Sequence, residues 1–161
     1  MLRSLQVRPV RDSDRTWIAD RIQEWWGTPT VVSRGRMQQP SDLDGFIADF
    51  ARRPLGLITV HVEDGGCEVV TLNSIDQGVG VGTALLAAAE AYARGHRCNR
   101  LWLITTNDNT QALRFYQRRG MRIHGWYSNA IAEARKLKPE IPLVGRDGIP
   151  LRDEIELVKE L

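Results

Sequence analysis

Cysteine is scarce in this chain of 161 residues. Its two copies, Cys67 and Cys98, lie far apart and share no metal-ligand spacing. The three histidines, His61, His96 and His124, form neither an HxxxH nor an HExxH pattern. Neither a zinc site nor a disulfide framework is expected, and no bound metal is called for. Long apolar runs are missing too. No segment would cross a bilayer, and "MLRSLQVRPVRDSD" has no leader-like apolar stretch, so a cytoplasmic protein away from membranes is the expectation. A net charge of +2 is too weak to argue for a nucleic-acid partner. Internal repeats, linkers and low-complexity segments are absent, and one domain over 1–161 is expected.

What is present is globular. Hydrophobic residues make up 42% of the chain, enough for a core. "LQVRPV" alternates and reads as a strand from Leu5 to Val10, and Asp12 or Asp14 is placed to cap the helix after it. That helix carries Ile18, Ile22 and Trp25 on one stripe, with Trp17 beside them, and "GTP" ends it. "VVSRG" reads as short and extended. "DGFIADF", "LGLITVHVE" and "CEVVTLNS" read as strands, the last two joined by the turn "DGG". The periodicity then changes. Val81 to Ala93 reads as a helix with Leu85, Ala89 and Tyr92 on one face, stopped by Gly95. "RLWLITT" is apolar on both faces, as in a strand covered on both sides. Asn109 is placed to cap the helix "TQALRFYQRR", which Gly120 closes. "MRIHGWYS" reads as a strand, "NAIAEARKL" as a short helix and "EIELVKEL" as a final strand. The order is a meander followed by one strand–helix–strand crossover, which is a mixed α/β sheet.

The stretch "SIDQGVGVGTALL", residues 74 to 86, stands where a strand ends and a helix begins. Gly78, Gly80 and Gly82 alternate there, and bare backbone at a helix head is suited to phosphate. No lysine lies near, so it is not a Walker A loop. Counting G-x-G-x-x-G from Gly78 puts Thr83 where the third glycine belongs. The next strand ends in "TTN" with Asp108 just beyond, so a nucleotide-binding domain is a weak alternative.

The stretch does contain Gln-x-x-Gly-x-Gly as Gln77, Gly80 and Gly82. A second pattern follows: Asn109, Ala112, Tyr116, Gly120 and Met121, with Met where Phe is commoner. Together, at this spacing and in this strand order, the two resemble the GNAT superfamily of acyl-CoA-dependent N-acyltransferases. The resemblance covers residues 44–129 and the first strand. It thins over 130–153, which is longer than a minimal member needs. It implies an α/β (α+β) fold with a mostly antiparallel central sheet of six to seven strands. That sheet would be splayed between strands 67–74 and 100–106 and flanked by helices on both faces.

It also implies roles. Acetyl-CoA would be the acyl-donor cosubstrate. Its pyrophosphate would lie on backbone N–H groups across Gln77, Gly78, Val79, Gly80, Val81, Gly82 and Thr83, its pantetheine arm along Leu72, Asn73 and Ser74, and Asn109, Ala112 and Tyr116 would line the same site. Tyr116 matches the general-acid position, sharing a helix face with Asn109 and Ala112. Glu68 matches a general-base position, the alternatives being an exposed strand glutamate, Asp76 or a water held by Asn73. Glu24, Trp26, Trp126 and Tyr127 would wall the acceptor, an amine-bearing small molecule or peptide. The implied activity is direct acetyl transfer to a primary amine in a ternary complex, by a monomer or homodimer. A non-catalytic acyl-CoA sensor of the same fold is the rival reading.

Overall fold

The structure, a computed structural model, describes residues 4–75 and 80–161. Its strands are β1 (Leu5–Pro9), β2 (Val31–Ser33), β3 (Arg36–Gln38), β4 (Asp44–Phe50), β5 (Arg53–Glu63), β6 (Gly66–Ser74), β7 (Arg100–Thr106), β8 (Arg122–Tyr127) and β9 (Glu154–Glu160). Its helices are α1 (Arg15–Trp26), α2 (Val81–Gly95), α3 (Thr110–Arg118) and α4 (Ala130–Leu137). Seven strands form one sheet in the order β1-β4-β5-β6-β7-β9-β8, and β2 and β3 form a separate ribbon. This is the mixed, mostly antiparallel architecture anticipated above. The chain gathers into two compact units that divide within β7: one holds the chain up to Val31, Gln39–Leu101 and Leu161, the other Val32–Gln38 and Trp102–Glu160.

In the first unit β1, β4, β5 and β6 pair antiparallel in succession. Two-residue turns set the registers. Ala51 and Arg52 (φ 52° and 64°) join β4 to β5, and Asp64 and Gly65 (φ 50° and 73°) join β5 to β6. Both turns have the two positive φ angles that suit the twist of a hairpin. Successive residues of β5 face opposite sides of the sheet. On one side Leu57 joins Ile47, Ile18 and Ile22 in a fully buried cluster, against which Trp17 and Trp25 of α1 pack. On the other side Gly56 leaves room for α2. A Cβ there would stand 2.5 Å from Val81 Cγ1 and 3.0 Å from Leu85 Cδ1.

Two local expectations are corrected and a third is borne out over Val31–Ser33 and extended. Asp14 stands at the head of α1 but does not cap it. Its carboxylate instead takes the fork of Arg8 at 2.8 and 3.0 Å and the Arg11 N–H at 2.7 Å, since a two-pronged charged partner outweighs a neutral cap. Gly95 is the last residue of α2, but it is not the left-handed terminator: Arg97 takes that turn (φ 58°), and the Cys98 N–H closes onto Ala93 O at 2.9 Å. "VVSRG" is half of a hairpin, β2 and β3, turned at Arg34 (φ 51°) and Gly35 (φ 73°).

In the second unit β7 closes one face fully, at Leu103, while Trp102 and Ile104 are half-buried rather than covered. β8 and β9 pair antiparallel, with a register shift between Ile123 and Gly125. The stretch 138–153 is pinned rather than loose. Arg135 of α4 donates to the carbonyls of Ile141, Pro142 and Leu151 at 3.2, 2.7 and 2.8 Å. Asn107 Oδ1 accepts from the Arg152 and Asp153 N–H groups, each at 3.0 Å. Asp108, 5% exposed, accepts from the Arg146 N–H at 3.0 Å and from the Thr106 hydroxyl. Gly145 passes so close to Asp108 that a Cβ on it would stand 2.6 Å from Asp108 Cγ. The carboxylate that lay just beyond the strand in the nucleotide-binding alternative thus has a structural task.

Candidate functional site

In the first unit, β6 ends with Leu72, Asn73 and Ser74 half-buried and paired against β5 as far as Gly56–Ser74. The Ile75 N–H to Leu55 O bond at 2.6 Å extends the tie. Asn73 Oδ1 is buried with no hydrogen-bond partner among the described residues. A buried acceptor left unmet costs roughly 1–3 kcal/mol, so such an atom marks a place where a donor is wanted. Gln77, Gly78 and Val79, and with them Asp76, lie outside the described residues. Beyond them Gly80 heads α2 with φ 77°, and among the described residues nothing lies within 4 Å of the position its Cβ would take. Having no side chain, Gly80 cannot cap the helix itself. The first-turn N–H groups stand at the positive end of the helix dipole. Val81 is buried against Gly56, Gly82 is half-buried and Thr83 is exposed. The residues present therefore suit a diphosphate and an amide-bearing arm.

Glu68, third in β6, is 3% exposed and pairs across the ladder with His61. It is not the exposed strand glutamate weighed as its alternative. The neighbouring Cys67 is fully buried, and burial, with Cys98 and Glu68 nearby, pushes its thiol up to about 12. It is no thiolate nucleophile near neutral pH. Glu24 and Trp26 lie at the end of α1, where Glu24 pairs with Arg21 at 2.8 Å and Trp26 is 43% exposed. Trp25 packs on the core as its stripe requires.

In the second unit Asn109 caps α3, its Oδ1 accepting from the Ala112 N–H at 3.2 Å. One and two turns on stand Ala112, half-buried, and Tyr116, which is buried, with burial raising its phenol above the usual range. Tyr116 is thus a protonated donor at any ordinary pH. Phe115 is half-buried, edge-on to Tyr116 at 5.2 Å and beneath the Arg119 guanidinium at 3.7 Å.

The end of β8 supplies Trp126, 63% exposed, and Tyr127, whose hydroxyl donates to Glu156 at 3.0 Å. They line an open cleft of about 670 Å³, shared with Arg34, Asn129, Glu133 and Glu154. The Arg34 guanidinium stacks on Tyr127 at 3.4 Å and stands 3.7 Å from Glu154 Oε1. Glu154 is 3% exposed, and burial raises its carboxyl above the usual range. Sequence reading found the two aromatics and missed Arg34 and Glu154. The one signal available was a glutamate heading an alternating strand.

The comparisons with known proteins agree with this geometry. Residues 11–121 match the model of the acetyltransferase (GNAT) family. YxbD, an uncharacterized protein of Bacillus subtilis, is 40% identical over 158 residues, 98% of this chain and 99% of that protein. An IAA acetyltransferase from Bacillus cereus superposes with a TM-score of 0.72 at 20% identity, covering 98% of this chain and 100% of that one. A GNAT family acetyltransferase from Elizabethkingia anophelis, solved with acetyl-CoA bound, superposes with a TM-score of 0.68 at 21% identity, covering 98% of each chain. A glycine-headed α2 following β6, the Asn109–Tyr116 helix and a family match over most of the sequence lead to one conclusion: this chain belongs to the acetyltransferase (GNAT) family.

Proposed function

We propose that the chain is an acetyl-CoA-dependent N-acetyltransferase that acetylates a primary amine by direct attack, its two units working as one domain. The observation that carries this is the head of α2: a glycine N-cap, Gly80 with φ 77°, that follows β6 in the chain inside the family match. Acetyl-CoA, when bound, supplies an acyl carbon activated by its thioester. The first-turn N–H groups of α2 bind the diphosphate. The end of β6, with Asn73 Oδ1 unpartnered among the described residues, orients the amide-bearing arm.

Two side chains handle protons. The buried phenol of Tyr116 holds one for the departing thiolate as the C–S bond breaks. Glu68 takes the proton that the acceptor nitrogen gives up as the C–N bond forms. Cys67 takes no covalent part, because its thiol stays protonated.

The test is release of free thiol from acetyl-CoA in the presence of an amine panel. Y116F is expected to lose about a hundredfold in kcat, with the KM for acetyl-CoA little changed. A wild-type chain that binds acetyl-CoA and modifies no amine would hand the assignment to the sensor reading.

A further inference from the structure

The cleft at the end of β8 contains a nearly buried carboxylate held by one residue of the chain. The Glu154 side chain is only 4% exposed. It accepts the Arg34 N–H at 3.3 Å and forms an ion pair with the Arg34 guanidinium at 3.7 Å, a long and therefore exchangeable contact. Around it the cleft offers the Trp126 ring, 63% exposed, and the Tyr127 ring, which already carries a cation at 3.4 Å. Glu133 at the rim pairs with Lys136 at 3.0 Å. A buried anion under aromatic faces is a seat for an organic cation.

We propose that Glu154 is a specificity-determining residue, seating a cationic group of the acceptor, and that the acceptor is therefore a diamine or another amine with a second positive centre. This rests on the acetyltransferase reading. An ammonium held on a carboxylate beside aromatic rings stays protonated and cannot attack a carbonyl carbon. The seated group and the acetylated nitrogen must then be different atoms of one molecule. Arg34, on Tyr127 and beside Glu154, is the chain's own stand-in for that cation, and the acceptor competes with it.

The experiment is titration calorimetry of the full chain with 1,4-diaminobutane, followed by turnover with acetyl-CoA. E154Q is expected to weaken diamine binding about tenfold or more, since a charged hydrogen bond is lost. R34Q is expected to tighten it, because the internal competitor is gone. 1-Butylamine is expected to compete with the diamine without being acetylated. Unchanged affinity in E154Q, in a chain whose circular dichroism matches wild type, overturns the proposal even if acetylation proceeds. Glu154-dependent diamine binding with no turnover keeps the cation seat and removes the acetyltransferase reading instead.

Discussion

A single methyl group placed at residue 145 tests how the stretch 138–153 is held. Gly145 has φ −98°, a negative angle, so Gly145→Ala meets no left-handed strain. The obstacle is Asp108. The new Cβ would stand 2.6 Å from Asp108 Cγ and 2.9 Å from Asp108 Cβ, and nearer still to Oδ2. Asp108 has to move aside by about half an ångström or more, and its bonds from the Arg146 N–H and the Thr106 hydroxyl go with it. Two hydrogen bonds to a buried charge, at about 1–2 kcal/mol each, give a loss of roughly 2–4 kcal/mol. For a chain of this size that lowers Tm by about 4–16 °C in a circular-dichroism melt. Asp108→Gly removes the obstacle and the same bonds. G145A added to D108G should then cost at least about 1 kcal/mol less than G145A alone. An unchanged Tm for G145A, or two costs that simply add, would refute the reasoning.

Two other outcomes are measurable. The Arg8 fork on Asp14, first of all causes, holds the Asp14 carboxyl below its ordinary value of 3.8. A depressed folded-state value stabilises above the unfolded value, and that stability drains away as pH falls through the lowered one. D14N should therefore lie about 1–3 kcal/mol below wild type in urea melts at neutral pH, and the gap should close in acid, below about pH 4. A gap that persists unchanged in acid would remove Asp14 from this role. E68Q should lose turnover most steeply at low pH, where free amine is scarce, and an unaltered pH–rate profile would take the proton-accepting role away from Glu68.

Local signals made much of the fold legible. Asp64-Gly65 fixed the β5–β6 hairpin, Gly27 and Gly120 close their helices with positive φ, and Asn109 caps α3 through the Ala112 N–H. Each is chemistry confined to a few neighbouring residues. Where distant partners compete, the sequence misleads. Asp14 reads as a cap until Arg8 claims it, and Gly95 reads as a stop although Arg97 makes the turn. The ribbon partner β3 is three residues of ordinary polarity with no periodicity to detect. The residues proposed for the donor could be named because their motif is contiguous. The cleft proposed for the acceptor was only half readable, because Arg34, Tyr127 and Glu154 come from three separated segments whose meeting depends on topology.

Val81 rests where a side chain at position 56 would otherwise be. The seating of the α2 head is therefore governed by an absence on the opposite side of the contact. Position 56 works as a set-screw: the smallest addition there lifts the helix start, and with it the amides proposed to grip an anion. A residue that touches no substrate in any reading of this site fixes the height of the platform proposed for donor recognition.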